Sequence, residues 1–187
     1  MSGVSMLAAM AAIQAAAPAS QPALSPELAP LAPLVGHCWR ATFPGTSQTD
    51  THCYSMMTGG RQVRDRHVVA GAAGPYSGET IFRWDPEMRR IRYDYYASDG
   101  GYSSGTVEAT TDGLSYPEEN YVSPTGQRLR LRNGLTWELP EAFTGFSAMQ
   151  RRAAWHEMWR MRFMRISAAP TEPALDQSHA VRDRGCC

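Results

Sequence analysis

The chain has 187 residues with 18 basic and 18 acidic side chains, 43% hydrophobic and 10% aromatic content, and four cysteines. That is core enough for one ordinary domain, and zero net charge removes the clustered positive potential on which general nucleic-acid and anionic-membrane binders rely. With 16 Gly, 13 Pro and 19% charged residues, the composition also excludes a coiled coil and an acidic disordered chain.

Met6 to Ala17 is an apolar, Ala-rich stretch followed by Pro18, Ala19 and Ser20. Small residues behind an apolar run of this length are the pattern of a secretory signal, so residues 1–19 are expected to be a signal peptide and the protein periplasmic or secreted. The run is too short to span a bilayer, and no integral membrane segment is expected. Residues 20–30 form a linker and helical lead-in, with Ser25-Pro26-Glu27 placed to start one short helix through Leu34.

From residue 31 to 166 the hydrophobic period is two. Trp39, Ala41 and Phe43 alternate with Cys38, Arg40 and Thr42; Ile91, Tyr93 and Tyr95 with Arg90, Arg92 and Asp94; Leu129 and Leu131 with Arg128, Arg130 and Arg132. These are half-buried strands. Near the end, Trp155, Glu157, Trp159, Met161 and Phe163 share one strand face, although Met158 and Met164 on the other face keep an amphipathic helix open as an alternative. Turn residues recur at Gly59-Gly60, Gly71 to Pro75, Asp85-Pro86, Asp99 to Gly101, Asp112-Gly113 and Pro124 to Gly126. Short strands at this spacing predict an all-β fold, an antiparallel sandwich or barrel. After Ile166 periodicity stops, and residues 167–187, including Cys186 and Cys187, are expected to be a disordered tail.

Cys38 and Cys53 lie symmetrically about Gly45-Thr46. Pro44 cannot donate in the closing pair of a two-residue loop, which favours a four-residue loop from Pro44 to Ser47. Counting back, Cys38 and Cys53 then face each other as a non-hydrogen-bonded pair about 4.5 Å apart at Cα, within disulfide reach. Two reduced thiols are the alternative in a reducing compartment.

Leu34-Val35-Gly36 leading to Trp39, Val63 to His67, Gly78 to Ile81 with Trp84-Asp85, and Trp155 to Arg165 resemble small exported bacterial proteins with a calycin-like barrel, the superfamily of lipocalins and fatty-acid-binding proteins. The resemblance spans Leu28 to Ile166 and implies an antiparallel calycin-like β-barrel of about eight to ten strands with a short N-terminal helix. It implies structural roles for Gly36 and Trp39 at the barrel floor and for Arg165 as the cover over Trp39, and it implies no activity.

If Trp39 faces inward, hairpin pairing turns Asp50, His52 and Tyr54 inward as well, and Asp65 and His67 follow from the next strand. Adding Tyr93, Tyr95, Glu157 and Trp159 gives the expected ligand-binding set: Tyr54, Asp65, His67, Tyr93, Tyr95, Glu157 and Trp159. Such an interior suits a small apolar or amphipathic molecule. The alternatives are a haem protein or His-dependent enzyme using His67 with Asp65, or a structural barrel filled by its own side chains, in which the polar residues satisfy one another. Gly101-Tyr102-Ser103-Ser104-Gly105 fits G-x-S-x-G but lacks the following helix, and reads as a Gly-Ser turn. His156, placed like the iron ligand of nitrobindin-type barrels, falls outward by parity. No zinc-protease, zinc-ribbon or dinucleotide motif occurs, so no metal ligand or catalytic residue is assigned.

Overall fold

The structure, a computed structural model, describes residues 23–71 and 76–168; the expected signal peptide, most of the expected tail with Cys186 and Cys187, and part of the Gly71 to Pro75 turn lie outside these residues. A 3-10 helix over Pro26–Leu31 comes first. Ten strands follow: β1 (His37–Thr42), β2 (Thr49–Met56), β3 (Gln62–Ala70), β4 (Tyr76–Asp85), β5 (Arg90–Ala97), β6 (Tyr102–Ala109), β7 (Gly113–Val122), β8 (Arg128–Glu138), β9 (Ala142–Arg151) and β10 (Ala154–Ala168). Each pairs antiparallel with its sequence neighbour, and β1 pairs with β10 to close the barrel. The final apolar run is therefore a strand of 15 residues, and the helical alternative does not hold.

The lead-in is shorter than the predicted helix. It ends at Leu31 with Pro30 inside it, and the chain beyond continues as turns that still bury Leu34. Leu28, Leu31 and Leu34 are each 0% exposed and plug one end of the barrel with Trp39 and Val63. The chain enters β1 through Gly36, whose φ of +83° lies in the left-handed region that favours glycine. The Gly36 N–H donates to the Tyr54 carbonyl at 2.9 Å, which fixes the start of β1 against β2. Trp39 packs on Phe143 at 5.2 Å between ring centroids, and Arg165 stands opposite Trp39 in the β1–β10 register. The Arg165 guanidinium reaches Glu141 at 3.4 Å.

The first hairpin follows the counting argument. Phe43 N–H donates to the Gln48 carbonyl at 2.9 Å, closing a four-residue loop, and Cys38 pairs with Cys53. The two form a disulfide with Cα atoms 4.1 Å apart. The Gly-Ser turn expected at Gly101 to Gly105 is not one. Tyr102 to Gly105 lie inside β6 in register with β7 and β5, because the β-branched Thr106 and Val107 extend the strand backwards through the serines.

Three bulges reset the inside–outside alternation, one of them at Ile166 in β10, where Cys38 pairs with Ser167 but Trp39 with Arg165. In β7, Tyr116 pairs with Asn133 but Glu119 with Leu131, so one residue is extra around Pro117, which has no N–H to offer a ladder. In β10, Glu157 pairs with Ala148 and Trp159 with Ser147, leaving Met158 as the extra residue.

Trp39→Ala is expected to destabilise the protein by about 3–5 kcal/mol, the range for a fully buried aromatic; equilibrium urea unfolding checks it, and a loss below about 1 kcal/mol would contradict the floor role. The β9–β10 loop offers a gain instead. Arg152 and Ala153 sit at φ +49° and +64°, where side chains are strained. Replacing them by Asn-Gly should stabilise the protein by about 1 kcal/mol, read as a raised melting temperature.

Candidate functional site

The inward faces enclose a cavity of about 480 Å³. Most of its wall is apolar, with Phe43, Phe82, Phe143, Phe146, Phe163, Leu129 and Leu131 among its lining residues. Two polar groups of side chains interrupt it.

The first lies on β2, β3, β4 and β5. In the β2–β3 register His52 faces His67, Asp50 faces Val69 and Tyr54 faces Asp65. The two histidine rings stack with centroids 4.9 Å apart, and each takes a carboxylate diagonally across the strand pair. Asp65 Oδ2 accepts from His52 Nδ1 at 2.7 Å, and Asp50 Oδ1 accepts from His67 Nδ1 at 3.1 Å. The Asp65–His67 pairing expected from sequence is therefore replaced by two diagonal pairs. Side chains two apart on one strand stand parallel, whereas strand twist leans diagonal neighbours together. Asp50 Oδ2 also lies 3.2 Å from His52 Nε2, so Asp50 bridges both rings. From His67 the chain continues: Nε2 lies 3.0 Å from the Tyr95 hydroxyl, which lies 2.9 Å from the Tyr76 hydroxyl. Six side chains thus form one line of hydrogen bonds, from Asp65 through His52, Asp50, His67 and Tyr95 to Tyr76.

Asp50, Asp65 and His67 are buried and His52 is half-buried. Burial disfavours the His52 imidazolium, but the Asp65 and Asp50 carboxylates and their hydrogen bonds outweigh it and hold its pKa up to about 10. Burial likewise works against the Asp50 carboxylate, yet His52 and His67 keep its pKa below the ordinary carboxylate range. Tyr54 and Tyr95 are pushed up, chiefly by burial, and stay hydroxyl donors.

The second polar group centres on Glu119. It is 6% exposed and accepts from the Tyr93 hydroxyl at 3.0 Å and from Asn133 Nδ2 at 2.6 Å. Burial raises its pKa, opposed by the hydrogen bonds from Tyr93 and Asn133. Sequence parity missed this residue: counting by two from Leu114 and Tyr116 turns Glu118 inward, and the bulge at Pro117 reverses that. A proline inside an otherwise regular strand run was the available signal.

The other expected residues divide. Tyr54, Asp65, His67, Tyr93, Tyr95 and Trp159 all line the cavity. Glu157 does not: it is exposed and pairs with Arg160 at 2.7 Å, because the bulge at Met158 puts it on the opposite face from Trp159. The same bulge corrects His156, which pairs with the cavity-lining Met149 and so sits on the inner side of the sheet, though at its exposed end. A haem iron would need an imidazole nitrogen turned freely into the lumen. His52 Nε2 and His67 Nδ1 both point at Asp50, and their other nitrogens at Asp65 and Tyr95, so neither ring turns a nitrogen to a haem iron in the open lumen.

Three glycines let rings lie flat on the wall. A Cβ added at Gly78 would fall 2.5 Å from His67 Nε2, at Gly105 2.6 Å from the Tyr93 hydroxyl, and at Gly134 2.5 Å from the Phe146 ring. None of these close approaches tolerates a methyl group without displacing its neighbour.

No family model matches the chain, and no curated protein matches it. Among solved structures it is similar to the crystal structure of Rv2717c from M. tuberculosis, with a TM-score of 0.54 and 16% sequence identity over 76% of this chain and 99% of that one. At that identity the likeness is one of fold.

The network makes stability pH-dependent in a defined direction. His52 binds its proton more tightly folded than unfolded, so its contribution is complete below pH 6.5 and is lost as pH rises to about 10. Asp50 acts oppositely, contributing above pH 3.8 and losing that contribution as pH falls further. Melting temperatures should therefore decline for wild type between pH 6.5 and 10 and decline less for His52→Gln; parallel profiles would contradict the bridging imidazolium.

Proposed function

We propose that this protein is an exported, calycin-like binding protein that holds a small amphipathic molecule inside its barrel. The observation that carries this reading is the cavity of about 480 Å³, with aromatic and aliphatic walls and polar groups confined to two clusters. That volume lies within the range used by proteins for drug-sized ligands, and sparse polar groups on an apolar wall orient such ligands. Tyr93 and Tyr95, with hydroxyls held by Glu119 and His67, and the ring of Trp159 are the contacts through which it would be gripped. The Cys38–Cys53 disulfide supports an oxidising compartment and hence export. No helix of the described residues is long and apolar enough to cross a membrane.

Native mass spectrometry of protein recovered from the envelope or medium of its own host tests the reading. A retained adduct of a few hundred daltons is expected, lost on denaturation. Leu131→Trp, which fills part of the lumen, should weaken retention by about tenfold or more, equal to about 1.4 kcal/mol of binding. Protein that is recovered without adduct and takes up no apolar dye would overturn it.

A further inference from the structure

We propose that Asp50, His52 and His67 form a binding site for one divalent first-row transition ion, of the zinc or ferrous class, on the cavity wall. The proposal does not depend on an amphipathic ligand and stands or falls separately. Donor atoms of these three residues lie within 4.8 Å of one another. Two of the spacings, 3.2 Å from Asp50 Oδ2 to His52 Nε2 and 3.1 Å from Asp50 Oδ1 to His67 Nδ1, one to each carboxylate oxygen, are close to the roughly 3.4 Å that separates ligands around a tetrahedral ion with 2.0–2.1 Å bonds. An ion inserted among them needs only the rings to draw in.

What distinguishes the group from an ordinary polar cluster is how the other ring nitrogens are held. His52 Nδ1 is fixed by Asp65 and His67 Nε2 by the Tyr95 hydroxyl, leaving His52 Nε2 and His67 Nδ1 both aimed at Asp50. Outer partners of this kind set the tautomer and orientation of metal-bound histidines. Asp65, the outer partner of His52, is itself 4% exposed and held at 2.7 Å from His52 Nδ1. Two imidazoles and a carboxylate are a borderline donor set, suited to zinc, iron or manganese and not to calcium. Three protein donors leave at least one position of a four-coordinate ion to water or another ligand, the arrangement of an open site and not of a closed structural one. On binding, the protons shared along the two His–Asp50 contacts leave to the buffer.

The test uses the full untagged chain with Cys186→Ser and Cys187→Ser, so that neither the terminal thiols nor an added histidine tag supplies a competing site. Titration with Co2+ should show one saturable equivalent with visible absorption and proton release, and Zn2+ should displace it. His67→Gln should abolish saturable binding. Asp65→Asn, which alters only an outer partner, should weaken it by about 10- to 100-fold with the disulfide intact. Should either variant fail to fold, ring 1H–15N spectra of the parent chain decide: Zn2+ must shift His52 and His67 and leave His37 and His156 in place. Absence of saturable binding, binding that persists in His67→Gln, or shifts confined to His37 and His156 would overturn the site.

Discussion

Closing ten strands through β1 and β10 gives each strand one inside and one outside, and the chemistry of the interior follows from which residues the period of two turns inward. An open sheet has room for compromise, since an edge side chain swings to solvent. A closed barrel does not. Once Trp39 is committed to the floor, His52 is committed to the lumen by pairing, His67 by pairing with His52, and the carboxylates of Asp50 and Asp65 come with them. The outward faces carry the complementary consequence. Ion pairs such as Arg130–Glu118 at 2.9 Å and Arg162–Glu138 at 2.7 Å sit there, worth little individually in water.

Carboxylates inside an aromatic cylinder are costly unless something positive meets them. Here the first response is protonic. His52 carries its proton between two carboxylates, and Asp50 is shared between two rings. Glu119, across the lumen, is met differently, by neutral donors from Tyr93 and Asn133, and so its proton is held more tightly than in water. One cavity therefore presents two polar surfaces of unlike character, one built around a fixed cation and the other around a weak acid.

How much of this was legible follows from where local chemistry and the closed sheet agree. The cysteine symmetry, Pro44 and the glycine-rich turns are local signals, and they located the first hairpin and most strand boundaries. The β9–β10 turn was not legible because Arg152 and Ala153 adopt left-handed backbone without the Asn or Gly that announces it, and their cost is carried by the pairing on either side. Glu157 was misassigned and Glu119 was missed for one shared reason. A bulge shifts parity by one residue, and from there an alternation count reports the wrong face with no internal sign of error. The inward set on β2 and β3 was found because those strands pair without irregularity, yet which carboxylate meets which imidazole depends on strand twist, a property of the pair and not of either sequence.

The bore of this barrel is governed as much by missing atoms as by present ones. Because Gly78, Gly105 and Gly134 lack a Cβ, the rings of Tyr95, Tyr93 and Phe146 recline along neighbouring strands where they would otherwise tip into the lumen. Each glycine thus acts as a hinge stop for one aromatic ring. Exchanging any one of them for alanine would narrow the passage by the swing of a single ring, while strand number and shear stay as they are. The width available to a guest can drift in small, separable steps, so related barrels with the same ten strands can diverge in the size of molecule they admit without any change of architecture.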